Sequence, residues 1–386
     1  MNRHFLRDIA DIQTGPFGSQ LHKDDYVDIG TPIVTVEHLG NRVFTEQNLP
    51  KVSDEDKARL SKYVLKEGDI VFSRVGSVDR CSYVDAAHDG WMFSGRCLRV
   101  RPNTEVDPLY LYYFFCLEDT KQFVRNIAVG ATMPSINTKL LGEVEVAYPS
   151  QTEQQKIVAL LSALDDKIEI NQKINDNLQQ QAAALFANFY DQAETEVGFT
   201  EMIQILGGGT PKTGESSYWN GDIPFFTPKD VGFPYTLTTE KTITEEGLAH
   251  CNSRLYPINT VFVTARGTVG KVGLPGVPMA MNQSCYALVG KDTHQLLVYF
   301  YTLKAVDRLK HKASGAVFDA ITTRDFEAEN IMKLSDDDTK AFLDVAEPIY
   351  QAVLNNSIEN LRLSELRDSL LPKLMNGEID VTDIRL

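Results

Sequence analysis

A stretch of 38 residues, Glu153–Tyr190, contains neither Pro nor Gly and sets apolar side chains at alternating steps of four and three. Ile157, Leu161, Leu164, Ile168, Leu178, Ala182, Leu185 and Phe189 fall on that grid, a heptad seam with both core positions filled. The two grid positions between Ile168 and Leu178 are Asn171 and Asn175. A helix over these residues is about 57 Å long at a rise of about 1.5 Å per residue. That is longer than an ordinary packed helix and suits a strut between two bodies.

The grid returns 185 residues later. Ala346, Ile349, Val353, Leu363, Leu370 and Leu374 occupy the corresponding positions, and Asn356 and Asn360 fall where Asn171 and Asn175 land. A seam asparagine lowers stability but fixes register and partner, because only an aligned amide satisfies it. The two segments are therefore predicted to pair with each other, antiparallel, with the asparagines near the middle.

The segments before each helix repeat as well. In the first, a Gly/Pro loop at Thr14-Gly15-Pro16-Phe17-Gly18 precedes predicted strands at Thr31–Val36, at Gly68–Val78 around a turn, and at Trp91–Val100. A helical pattern follows over Pro108–Arg125, then a short helix at Thr138–Leu141 and a strand at Val144–Val146. In the second, Gly207–Pro211, Ile223–Thr227, Thr260–Val269 and Gly315–Ile321 answer the loop, two of the strands and Gly130–Ile136. The predicted fold is α+β: two similar mixed α/β domains, residues 1–149 and 193–334, separated by antiparallel coiled-coil helices in 150–192 and 335–386, an internal repeat with pseudo-two-fold symmetry.

At 386 residues the chain has room for two or three domains. It has no signal peptide pattern and no apolar run of about 18 residues, so a cytoplasmic protein without a membrane partner is expected. Five widely spaced cysteines, none in a Cys-x-x-Cys pair, point to a reducing compartment. The histidines form no i, i+4 pair, and no metal site is expected. Net charge is −15, but residues 150–198 and 335–386, which hold the two helical segments, carry −11 of it, leaving −4 on residues 1–149 and zero on 199–334. A near-neutral body can still present a basic face.

Catalytic motifs are absent from the reading. Gly209–Ser216 resembles a phosphate loop but has Glu215 where a Lys is needed. Asp107-Pro108-Leu109-Tyr110 resembles an amino-methyltransferase motif without its second Pro, and reads as a helix entry. No residue is assigned a catalytic role. What remains is a set of polar and basic residues on loops between strands. In the first domain these are Ser73, Arg74, Ser77, Arg80, Arg96, Asn137 and Lys139. In the second they are Thr264, Arg266, Thr268, Lys271, Asn282, Gln283, Ser284, Thr322 and Arg324, with Lys304, Arg308, Lys310 and Lys312 along a helix at Val298–Lys312. Arg to guanine, Asn or Gln to adenine, and Lys, Ser or Thr to phosphate are the pairings a reader of double-stranded DNA uses.

The second half contains Gly208-Gly-Thr-Pro211, Tyr218-Trp219-Asn-Gly-Asp-Ile-Pro224, Arg266-Gly267-Thr268-Val269-Gly270 and Asn282-Gln283. The helices contain Glu153-Gln154-Gln155-Lys156-Ile157, Leu164-Asp165-Asp166-Lys167-Ile168, Leu366-Arg367-Asp368 and Leu370-Leu371-Pro372-Lys373-Leu374, with Gly377-Glu378 beyond. In string, order and duplication this resembles the specificity subunit of type I restriction–modification systems, over essentially the whole chain. The first domain departs from the pattern with Gly15-Pro16-Phe17-Gly18 and no Tyr-Trp pair, the second helix with Ser335-Asp336-Asp337-Asp338-Thr339 before it. The resemblance implies a non-catalytic chain whose two target recognition domains each read half of a split DNA sequence. It implies helices that set the spacer and dock two methylation subunits, with restriction subunits joining that core. S-adenosylmethionine, ATP and Mg then belong to the partners, and this chain binds no cofactor. Two alternatives stay open: the same subunit serving a fused type II methylase–nuclease, and a coiled-coil adaptor with no DNA role.

Overall fold

Two serines 185 residues apart start the two long helices. Ser150 donates its hydroxyl to Glu153 Oε2 at 2.5 Å and accepts the Glu153 backbone N–H at 3.4 Å, opening Gln151–Gln192. Ser335 does the same with Asp338, at 2.6 and 3.1 Å, opening Asp336–Met375. Each cap satisfies a free N–H of the first turn, and Asp336, Asp337 and Asp338 complement the positive end of the second helix.

This computed structural model describes residues 1–16, 18, 20–40, 42–232, 234–312 and 320–381. The expected counterpart of Gly130–Ile136 at 315–321 lies mostly outside the described residues. The chain forms two compact units, Met1–Asp166 with the segment from Leu363 onward, and Lys167–Arg362. Each long helix contributes to both. No described helix is long and apolar enough to cross a membrane.

The same sheet plan is built twice. In the first unit, Ala10–Thr14, Cys97–Pro102, Ile70–Ser73 and Cys81–Tyr83 form an antiparallel sheet in that order. In the second, Ile203–Gly207, Cys285–Gly290, Val261–Thr264 and Val272–Pro275 do so, with Tyr235–Thr236 added in parallel. A smaller sheet pairs Thr31–Val34 with Met92–Phe93 in parallel in one unit, and Trp219–Phe226 with Ala280–Met281 in the other. A two-stranded ribbon brings each unit's opening strand back to the strand before its helix, Asn2–Phe5 to Glu145–Tyr148 and Thr195–Gly198 to Asn330–Lys333.

Two predicted elements break. The strand expected over Trp91–Val100 divides into Met92–Phe93 and Cys97–Pro102, because a turn closed by Cys97 N donating to Ser94 O at 2.9 Å sends the halves to different sheets. The helical stretch Pro108–Arg125 is two helices, Pro108–Cys116 and Glu118–Ile127, with Leu117 extended between them. Asp107 caps the first through Leu109 N and Tyr110 N, with Pro108 at the first helical position, so this string is a helix entry.

The asparagines on the seam pair as predicted. In the second unit, Asn171 Nδ2 donates to Asn360 Oδ1 and Asn356 Nδ2 to Asn175 Oδ1, both at 2.8 Å. The two accepting amides turn their own NH2 groups to the opposite backbone: Asn175 Nδ2 to Val353 O at 3.4 Å and Asn360 Nδ2 to Ile168 O at 3.3 Å. Four residues forward on one helix meet four residues back on the other, so the helices are antiparallel here. The 185-residue offset exchanges the two pairs, which places a local two-fold axis between them.

The seam is otherwise not a strict heptad. Ile157, Leu161 and Ala182 are buried, but Leu164, Ile168, Leu178, Leu185 and Phe189 are only partly covered; Asp165, Phe186 and Tyr190 take the buried positions beside three of them. On the second helix Ala346, Val353 and Leu374 are buried, Ile349, Leu363 and Leu370 half-buried, and Tyr350 sits inside. The steps 182, 186, 190 and 342, 346, 350 are the four-residue ridge of helices packed onto a globular core. Phe186 fixes that phase: its ring stacks on Phe300 at 4.9 Å and meets Phe342 and Tyr301 edge-on. In the first unit Ile157, Leu161, Leu371 and Leu374 join the core of Phe72, Tyr110 and Phe115 in the same way.

The observed pairing sets what leucine substitution does. Asn171→Leu together with Asn360→Leu removes both partners of one amide pair and is expected to raise the melting temperature. Asn171→Leu alone leaves the Asn360 carbonyl short of its donor and is expected to cost about 1–3 kcal/mol. Thermal unfolding of the two variants checks this; a single variant as stable as the double would deny the pairing.

Candidate nucleic-acid interface

In each unit the turn that follows the central strand is tied by backbone hydrogen bonds to two other loops. After Ile70–Ser73 the chain turns through Gly76, whose φ of +76° favours glycine. Arg74 N donates to Arg96 O at 2.8 Å, Gly76 N to Pro134 O at 2.8 Å, and Ile136 N to Arg74 O at 2.9 Å. In the second unit Gly267 turns at φ +83°, Ala265 N donates to Ser284 O at 2.8 Å and Ile321 N to Ala265 O at 3.0 Å. The loop clusters are the same construction: residues 74–80, 94–96 and 129–139 in one, 265–271, 282–284 and 320–324 in the other.

This register matches the two turns residue by residue. Arg74 corresponds to Ala265, and Arg266 to Val75. In an extended chain a shift of one residue turns the side chain to the other face. The Arg74 guanidinium bends back to Gly95 O at 3.1 Å, while Arg266 is exposed.

Several predicted contact residues face inward. Ser73 and Thr264 are buried, at 2% and 0% exposure. Ser73 donates its hydroxyl to Val75 O at 2.8 Å; Thr264 donates to Thr268 O and accepts Lys271 N at 2.9 Å. These hydroxyls hold the turns and cannot reach a ligand. The helix expected over Val298–Lys312 runs Gln295–Lys312, and its basic row is engaged. Lys304 lies over the Tyr190 ring at 5.2 Å, and Arg308 and Lys312 converge on the buried carboxylate of Glu329. Lys310 and Lys312 are exposed, Lys304 and Arg308 half-buried. Asn137 and Thr322 are helix caps, Asn137 accepting Leu140 N at 2.9 Å and Thr322 sharing a capping box with Asp325. Asn282 accepts Ser284 N at 3.0 Å, and exposed Gln283 accepts from Thr210. Trp219 packs edge-on to Phe225 at 5.5 Å.

The exposed members recur. Ser77 and Thr268, Arg80 and Lys271, and Lys139 and Arg324 are equivalent pairs on the tied loops, and each of the six is exposed. Arg96 and Arg266 add one further exposed arginine to each cluster. The sequence reading missed Val129 and Met133, exposed apolar residues on the first cluster. Their signal was the run from Ala128 to Ser135 without a charge.

The sequence matches the family described as type I restriction modification DNA specificity domain over residues 2–180 and 195–333. It is 25% identical over 410 residues to the type I restriction enzyme HindI specificity subunit of Haemophilus influenzae, an alignment covering 84% of this chain and 89% of that one. It is 22% identical over 407 residues to the MjaIX specificity subunit of Methanocaldococcus jannaschii, covering 98% and 93%. The crystal structure of a type I restriction–modification system S subunit from M. genitalium shares the fold, with a TM-score of 0.57, 16% identity and coverage of 97% and 95%. With matches over both of its repeated halves, the chain belongs to the type I restriction–modification DNA specificity domain family.

Proposed function

We propose that this chain is the non-catalytic DNA-specificity subunit of a type I restriction–modification complex, each loop cluster reading one half of a bipartite target. The observation that carries the reading is the recurrence of exposed cationic and hydroxyl pairs on the same tied loops in two copies of one family domain. Arg266 is suited to bidentate contact with guanine, Gln283 to adenine, and Arg80, Lys271, Lys139 and Arg324 to phosphates. The long helices, 42 and 40 residues, rise about 63 and 60 Å. That is enough to serve two half-sites roughly 34 Å apart. Their acidic faces favour protein over DNA, in keeping with two docked methylation subunits that supply S-adenosylmethionine and the chemistry. Restriction subunits, with ATP and Mg, complete the assembly.

Purified chain combined with its methylation subunits tests the reading. Methylation confined to one bipartite sequence is the expected result; no retention of DNA with or without those subunits would leave a protein-binding adaptor instead. Within that assay Arg266→Ala is expected to weaken binding to the cognate site by about 1–3 kcal/mol and to relax one half-site. Lys139→Ala is expected to weaken all sequences alike and to lower the salt slope by about one. Binding titrations against salt separate the two effects.

A further inference from the structure

The loop at 129–135 of the first unit has no structural use for its apolar side chains. Val129 is 63% and Met133 65% exposed. The tip is nevertheless rigidly made. Val129 and Ser135 exchange both backbone hydrogen bonds, at 2.9 and 2.8 Å. Gly130 turns the chain at φ +112°, where a Cβ would meet Met133 O at 2.7 Å. Gly76 N fastens Pro134 to the neighbouring hairpin. The loops of the same cluster carry Arg80, Arg96 and Lys139, all exposed, with the Arg80 guanidinium lying against Gly40, and the hairpin's one carboxylate, Asp79, is engaged by Arg125 at 2.6 Å. An apolar point set rigidly among cations is complementary to a polyanion with an apolar interior, which a base-paired duplex is.

We infer that Met133 is a stacking wedge: on binding, the apolar tip enters the base stack of the half-site read by the first unit. This rests on the DNA-reading function proposed above. Apolar side chains inserted at a base step unstack and kink it, and they cover base faces that the opening exposes. An adenine turned out for methylation leaves such faces. Arg80, Arg96 and Lys139 hold the backbones on either side while the tip goes in.

The complex of full-length chain and methylation subunits tests this on a series of duplexes carrying one mismatch at each step of the half-site. A mismatch removes part of the unstacking cost, so wild type is expected to bind one such duplex about tenfold tighter than the perfect site. Met133→Ala is expected to lose that gain and to bind the perfect site about tenfold more weakly, while Met133→Leu keeps both. Binding to unrelated DNA and the melting temperature should be the same in all three proteins. Identical mismatch profiles for wild type and Met133→Ala would overturn the wedge while leaving the DNA-reading function intact. Failure of Met133→Ala to assemble with the methylation subunits would also overturn it, assigning the tip to a protein contact. A wild type that prefers no duplex would overturn the proposed function and the wedge together.

Discussion

Arg367→Ala is expected to destabilise the first unit by about 3–5 kcal/mol, far more than the loss of a surface ion pair. Asp165 is buried between the two helices and the helix at Pro108–Cys116. It accepts Arg367 Nη1 at 2.6 Å and the Tyr113 hydroxyl at 2.6 Å. Burial and the Asp165 carboxylate hold the Tyr113 phenol far above its ordinary pKa, so it remains a neutral donor. Burial alone would lower the pKa of Arg367; the hydrogen bonds and charges of Asp165 and Asp368 together outweigh it and hold the guanidinium charged. Deleting the arginine strands the carboxylate in a low-dielectric site. Asp165→Ala added to Arg367→Ala should recover part of the loss, because the stranded charge goes with it. The 185-residue offset already shows an apolar solution: it maps Asp165 to Tyr350 and Arg367 to Ala182, both in the core of the second unit. Guanidinium unfolding of the single and double variants measures this. A single variant within about 1 kcal/mol of wild type would contradict the assignment.

This polar cluster also marks where the sequence stops being legible. The helices and their antiparallel partnership were readable because Asn171, Asn175, Asn356 and Asn360 interrupt an apolar grid at matched places, and an amide has few ways to be satisfied on a seam. The phase of the grid was not readable at its ends. There the helix faces a domain, and the rings of Phe186 and Tyr350 choose the ridge that fits Phe300 and Tyr299. The short helix at Thr138–Leu141 was visible from its cap, whereas the break at Leu117 depends on packing. At the candidate interface, residue type named the right loops but not the right side chains. Ser73 and Thr264 look like any loop hydroxyl until the turn closes over them. Arg308 and Lys312 look free until Glu329, 17 residues beyond Lys312, folds back between them. The one-residue offset between Arg74 and Arg266 is already present in Arg74-Val75-Gly76 and Ala265-Arg266-Gly267, whereas the turn of the Arg74 guanidinium back to Gly95 O is settled only by the fold.

The largest functional effect is expected from exchanging residues 1–149 for the corresponding segment of another family member. Every loop of the first cluster lies within that segment, and so do the backbone bonds that tie the loops together. The junction falls just before the Ser150 cap, so the helix start is kept. The incoming segment must still meet three polar groups on the retained helix: buried Gln154, which accepts the Asp107 backbone N–H at 2.7 Å, Asp165, which accepts Tyr113, and Asp166, which accepts Arg42. With those contacts preserved, the two readers act independently, since the loops of the second cluster and the residues that brace them, Thr210 and Pro228, all lie outside the exchanged segment. Sequencing the methylated sites made by the chimera with its methylation subunits tests the duplicated-reader account most directly. The account predicts that one half of the bipartite target changes while the other half and the spacer length stay as they were; a change in both halves, or in neither, would contradict it.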